Sequence, residues 1–238
     1  MTWGTLVNSG VIVAATLLGV AVSGKLPERI TTVVMQGIGL TTMFIGIANA
    51  FDLSSVEGRL PGILLGLLAI VIGGALGEWW RINDHLSDLG ENLKKRFKDS
   101  GRFTEGFVAA TLLFGIGPMA ILGSVQNGLT GNADILMLKT TLDAFTSVAF
   151  ATVYGIGVAA SALVLLVYQG GMSLAAGAFT ALIPDPATSA EVLLINGVGG
   201  ILIVALGINV LNITEIRIGS FLPALPLVVV LYHLVNVF

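Results

Sequence analysis

The chain reads as an all-α polytopic membrane protein of about eight transmembrane helices, with an inverted internal repeat (spans 1–3 against spans 6–8) around a broken central helix. Three observations predict this. Of 238 residues, 55% are hydrophobic and 11% charged, with a mean hydropathy of +0.96; a soluble domain carries about a quarter charged residues. The charges cluster, leaving apolar runs of roughly the ~20 residues that cross a bilayer as a helix. One such run is broken by Gly115, Gly117, Pro118 and Gly123, residues that interrupt or loosen a helix. Hydrocarbon tolerates such a break only where protein encloses it or water reaches it.

The first span covers about 6–22. Its residues before the apolar run carry no Lys or Arg, which a secretory signal requires, so it is expected to be retained. Gly10, Ala14 and Ala21 form a small-residue face. Asn8 is its one strongly polar residue; interhelical pairing competes there with solute contact. Pro27 is placed to open the second span, about 30–51, whose Gly39, Met43, Gly46 and Ala50 recur at helical spacing beside Asn49. The third span, about 60–76, has a stripe of Gly62, Gly66, Gly73 and Gly77, expected to pack helices tightly within the bundle or in an oligomer.

Between Glu78 and Arg102 the composition changes. Trp79, Ile82, Leu86, Leu89, Leu93 and Phe97 fall at three- and four-residue steps, predicting one amphipathic helix on the membrane surface or against a partner. His85 and His233 lie far apart in sequence, Cys is absent and carboxylates are scattered, so no metal cluster or nucleophile–base pair is legible. No cofactor and no enzymatic activity are expected. A formal charge of −3 without a basic aromatic surface excludes a nucleic-acid partner.

The fourth span, about 107–125, contains the Gly-Pro break, and Ser124, Gln126 and Asn127 follow it closely. The fifth, about 142–167, is long and is expected to bend at Gly155 and Gly157. Lys139 and Asp143 lie one helical turn apart and can pair. They either anchor the outer end of this span or form part of a solute path; their place near the predicted edge favours the anchor. Span 6, about 172–183, is short for a crossing. Span 7, about 192–211, is a second polar helix with Asn196, Asn209 and Asn212, closed by Glu215 and Arg217, and span 8 covers about 221–237.

Nine Lys or Arg residues fall on one side of the predicted topology and two, Arg59 and Lys139, on the other. The positive-inside rule then places both termini outside and 78–102 in the cytoplasm. IGLTTMFIGIANAF and GGILIVALGINVLN align Gly39 with Gly200 and Gly46 with Gly207. Copies offset by five spans run in opposite directions, as in several transporter folds. The organisation expected is 1–77 for spans 1–3, 78–103 for the surface helix, 104–169 for spans 4–5 and 170–238 for spans 6–8.

The segments GTLVN (4–8), LPER (26–29), LGE (76–78), LLFGIGPMAILGSVQNGLTG (112–131), KTTLDAFTSVAFA (139–151), YQGG (168–171), GGILIVALGINVL (199–211) and LPAL (222–225) resemble the YqgA-like bacterial membrane proteins. That resemblance implies a multi-pass protein of the bacterial inner membrane and brings no established substrate. The residues point to a secondary transporter of a small polar solute or monovalent ion. Gly117, Pro118, Ser124, Gln126, Asn127, Lys139 and Asp143 would form its site, lined by Asn8, Asn196 and Asn209. Too few carboxylates gather for a divalent ion. An oligomeric channel built through the glycine stripe, or a scaffold acting through the surface helix, are the alternatives; a homo-oligomer in the lipid bilayer is expected.

Overall fold

The computed structural model describes residues 3–23, 27–97, 102–176 and 189–237. Among them are ten α-helices: α1 (Trp3–Ser23), α2 (Glu28–Ala50), α3 (Gly62–Trp79), α4 (Ile82–Phe97), α5 (Phe103–Gly115), α6 (Pro118–Thr130), α7 (Asp134–Tyr154), α8 (Gly157–Leu174), α9 (Ala190–Val210) and α10 (Ala224–Val237). Short 3-10 turns at Phe51–Ser55 and Ile218–Phe221 precede α3 and α10. Seven of the described helices are long and apolar enough to cross a membrane, and eight spans result if the bent pair α5–α6 is one. The protein is thus an all-α multi-pass membrane protein with about eight spans.

Two compact units divide the chain. The first is Met1–Ile38 with Ser87–Pro184, and the second is Gly39–Leu86 with Asp185–Phe238.

In the first unit α1 and α7 run parallel. Gly4 abuts Ala133 and Leu136 at the start of α7, and Gly19 lies on the Val148 carbonyl and Ala151 towards its end. The axes of α5 and α6 differ by 63°. Gly117 sits at φ 147° between them, a backbone open to glycine and strained for other residues, and Pro118 opens α6, where its missing N–H costs nothing. Gly106 near the start of α5 packs on Tyr154 at the end of α7, whereas Gly123 in α6 packs on Ile135 and Leu136 at its start. The bent pair therefore runs antiparallel to α7 along most of its 21 residues, about 30 Å at ~1.5 Å per residue. It is a broken span, not a loop that turns back. α8 starts beside Phe103 and ends beside Gly128, whose neighbour is the Ser173 carbonyl.

Three expected boundaries are corrected. The single long span 142–167 is two helices, because Gly155 leaves the helical region at φ 68° and ends α7. α7 also begins earlier, at Asp134, whose N–H is held by the Asn132 carboxamide oxygen at 2.7 Å. This moves Lys139 and Asp143 from the edge to the interior of a span, since two charges in its first half had lowered the local hydropathy. The short span 172–183 begins instead as the last turn of α8, and its residues 177–183 lie outside the described ones. The surface helix 78–102 is not continuous: α3 extends through Trp79, Arg81 turns the chain at φ 53°, and α4 starts at Ile82. Residues 98–101 lie outside the described ones.

In the second unit glycines set the helix spacing. Gly39 meets Leu211 and the Gly207 carbonyl, and Gly46 meets Val204 and the Gly200 carbonyl, so α2 and α9 cross antiparallel at near-backbone contact. Along α3, Gly62 rests on the Leu53 carbonyl, Gly66 on the Leu53 side chain, Gly73 on Ala224 and Gly77 on the Ser220 carbonyl. The stripe is thus spent on packing inside the unit, around a core of Leu53, Val56, Leu65, Ala69, Leu194, Val198, Ala224 and Val228. Arg217 fastens one end. It pairs with Glu78 and, at 2.8 Å, with Asp84, while Ser220 donates to Glu78 at 2.8 Å. A hydrogen bond from Arg81, with the nearby Arg217, holds the Asp84 carboxyl below its ordinary value.

Gly77→Ala drives a methyl into the Ser220 carbonyl and Gly62→Ala into that of Leu53; each is expected to cost about 1–3 kcal/mol as overpacking. Gly10 and Gly37 have no atom near the place of a Cβ, so alanine there is expected to be neutral or to stabilise by up to ~1 kcal/mol. Thermal midpoints in detergent compare the four variants.

A candidate site beside the broken span

α7 projects Lys139 and Asp143 from successive turns, and both residues are only 6% exposed. The Lys139 ammonium pairs with Asp143 Oδ2. The same oxygen accepts from Asn8 Nδ2 of α1 at 3.2 Å, and that nitrogen also donates to Gln169 Oε1 of α8 at 3.3 Å. Lys139 Nζ lies 5.8 Å from the Phe114 ring centroid, in the last turn before the break. Three helices and the end of a fourth thus converge on one ion pair near the middle of α7.

Breaking a helix there has an electrostatic consequence. The last carbonyls of α5 and the first N–H groups of α6 are left short of intrahelical partners at the break, a partial negative and a partial positive pole a short way along the chain from Phe114. A buried ion pair is stable only when further hydrogen bonds satisfy it. Asn8 supplies one such bond to Asp143.

Not every polar atom is satisfied. Asn8 Oδ1, Gln169 Nε2, Thr5 Oγ1, Thr16 Oγ1 and Ser147 Oγ are buried without a hydrogen-bond partner, as are Gln126 Oε1 and Asn127 Oδ1. The Asn8 amide is oriented by chemistry: a carboxylate can only accept, so the NH2 faces Asp143 and the carbonyl oxygen is the free atom. Thr5, Asn8 and Thr16 lie on the buried face of α1, and Ser147 is one turn beyond Asp143. Each unsatisfied buried group costs about 1–3 kcal/mol, which water or a bound solute removes by supplying the missing partner.

The expected site residues separate into groups. Asn8, Lys139 and Asp143 are together, with the Gly117–Pro118 break nearby in sequence to Phe114. Ser124 serves the fold: its hydroxyl donates to the Ala120 carbonyl at 2.6 Å and its own carbonyl accepts from Ser173 at 2.8 Å. Asn127 donates to the Gly131 carbonyl at 3.3 Å, closing α6. Asn196 and Asn209 belong to the second unit, where each is engaged separately. Asn196 donates to Asp52, and Asn209 clasps the Ile216 peptide with two bonds of 2.8 Å. Gln169, Thr5, Thr16 and Ser147 escaped the sequence reading. Among the described residues no three His, Asp or Glu side chains gather as metal ligands.

Residues 3–233 match the family described as "Protein of unknown function (DUF554)". The chain belongs to this family. Within reach of the DUF554 assignment, the chain is 30% identical over 234 residues to "Uncharacterized membrane protein YdfK" of Bacillus subtilis (strain 168), covering 97% of each. It is 29% identical over 231 residues to "Uncharacterized protein YqgA" of Escherichia coli (strain K12), covering 94% of each. The resemblance read from the motifs is confirmed. No solved structure matches.

For this DUF554 protein, Asp143→Leu strands the Lys139 ammonium in the interior and is expected to cost about 3–5 kcal/mol. The double variant Lys139→Met with Asp143→Leu removes both charges and is expected to recover most of that loss. Thermal midpoints in detergent measure both.

Proposed function

We propose that this protein is a secondary transporter of a small polar solute or monovalent ion. The observation that carries the reading is a span broken beside a buried Lys139–Asp143 pair, with amide and hydroxyl atoms around it that lack partners. Discontinuous helices beside intramembrane charges are how many carriers expose backbone and side-chain groups to a solute.

Helix directions support the topology. With α2 and α3 as two crossings, α1 and α7 run parallel only if α5–α6 together add one more. Eight crossings follow. Lys139, being buried, leaves the charge count, so nine Lys and Arg residues stand on one side against Arg59 alone. The positive-inside rule then puts α4 in the cytoplasm, and the start of α1 and the end of α10 outside, in a bacterial inner membrane.

Contacts also support an inverted repeat of spans 1–3 and 6–8. Gly39 aligns with Gly200 and Gly46 with Gly207, yet Gly39 touches Gly207 and Gly46 touches Gly200. That exchange is the pattern of two copies crossing about a two-fold axis. The preceding spans share three of five residues between LVNSG (6–10) of α1 and LVYQG (166–170) of α8. The α3 glycines are occupied within their own unit, which favours a carrier over a channel assembled through that stripe.

Because the chain has no cysteine, single cysteines report water access directly. Ser147→Cys in membrane vesicles is expected to react with a water-soluble methanethiosulfonate reagent at least tenfold faster than Leu165→Cys, an apolar buried control in α8. Equal inertness of the two would make the cluster dry packing and end the carrier reading.

A further inference from the structure

We infer that the cargo is a small zwitterion such as an amino acid, its ammonium taken by Asp143 and Asn8 and its carboxylate by Lys139 and Gln169. This rests on the transporter reading and deepens it by naming the class of solute.

Net charge narrows the cargo first. α1 and α6 carry no titratable side chain, α8 carries only Tyr168, and α7 otherwise offers Asp134 at its first residue and Tyr154 at its last. On α5, Glu105 is paired with Arg102. The Lys139–Asp143 site is therefore neutral before anything binds. A guest of either sign would leave an uncompensated charge among buried side chains, which is costly. A guest whose own charges cancel leaves the site neutral.

Free hydrogen-bonding capacity narrows it further, because it is of both kinds. The two bonds to the Asp143 carboxylate, from Lys139 and Asn8, both end on Oδ2, so Oδ1 is open among the described residues. Asn8 Oδ1 is a second open acceptor. A guest ammonium only donates, and suits these two oxygens. On the donor side, Gln169 Nε2 is buried without a partner. Lys139 has three N–H donors, and among the described residues Asp143 Oδ2 is their one hydrogen-bond acceptor. A guest carboxylate only accepts, and suits these two nitrogens. The hydroxyl of Ser147, one turn along α7, can serve either end.

The four residues are linked in the order Lys139, Asp143, Asn8, Gln169, with Asn8 on Asp143 at 3.2 Å and on Gln169 at 3.3 Å. Open acceptors and open donors therefore fall within the span of one small molecule, and binding uses them without breaking the ion pair. An uncharged solute would use the amides and hydroxyls and leave the charges idle. Apolar side chains of like volume replace an idle buried pair without loss of stability, whereas a guest bearing both charges employs the spare capacity of each.

The test uses full-length protein in liposomes. Labelled glycine and the other amino acids with uncharged side chains are offered one at a time, with glycerol and urea as uncharged probes. At least one amino acid is expected to enter faster than into protein-free liposomes. Its amide, which keeps only the ammonium, and its des-amino acid, which keeps only the carboxylate, are expected to enter at least about tenfold more slowly, as loss of one partner of a buried charge contact requires. Lys139→Met with Asp143→Leu is expected to elute as the native species on gel filtration and to transport none. Gln169→Leu keeps both charges and is expected to raise KM about tenfold through the lost bond to the carboxylate; it decides the matter if the double variant does not fold. Entry of glycerol or urea alone, equal entry of the amide or the des-amino acid, or native uptake by a folded double variant or by Gln169→Leu would overturn the inference. If no amino acid enters while Ser147→Cys reacts rapidly, the cargo is wrong and the carrier reading stands. If Ser147→Cys is inert as well, both fall.

Discussion

The ion pair between Lys139 and Asp143 is the constraint around which the first unit is arranged. Two charges in the interior of a span are tolerated only where other helices enclose them and supply hydrogen bonds. α1 does so by lying parallel and close to α7, an approach that Gly4 and Gly19 permit because neither end has room for a side chain. α8 completes the set by bringing Gln169 to Asn8. From α5, the Phe114 ring centroid lies 5.8 Å from the Lys139 ammonium.

The second unit answers a different demand. Lipid gives helices no hydrophobic reason to associate, so close backbone approach and dispersion must hold them. Eight glycines of α2, α3 and α9 lie against main-chain carbonyls or amides of a neighbouring element. The polar groups at its ends are largely matched: Arg217 to two carboxylates, Asn209 to both sides of one peptide, and Asn83 to the Gly219 N–H at 3.2 Å.

Much of this was legible in the sequence. Apolar run length gave the number of spans, and Gly117–Pro118 marked the break, because φ restrictions are local properties of those residue types. The α3 glycine stripe announced close packing but not its partners, which depend on tertiary arrangement. Hydropathy misplaced the start of α7, since two charges that pair with each other count against a span when read singly. Gln169 was missed for a related reason. Its value lies in meeting Asn8, which is 161 positions away, and no periodicity links the two. Thr5, Asn8 and Thr16 did carry a helical spacing, hidden because threonine is common in membrane helices as a backbone-bonded residue.

The buried polar side chains of the first unit divide into two sets. Where polar side chains merely hold helices together, each added donor is matched, because an orphan in hydrocarbon costs more than an aliphatic replacement. Thr140 follows that rule, returning its hydroxyl to the Leu136 carbonyl at 2.7 Å, and so does Ser161, to Val158 at 2.7 Å. Ser147, Thr16 and Thr111 do not, although each has helix carbonyls three and four residues back. They lie on α7, α1 and α5. Asn196 Oδ1 in the second unit is likewise without a partner, so unmatched atoms are not confined to the helices that meet at the ion pair.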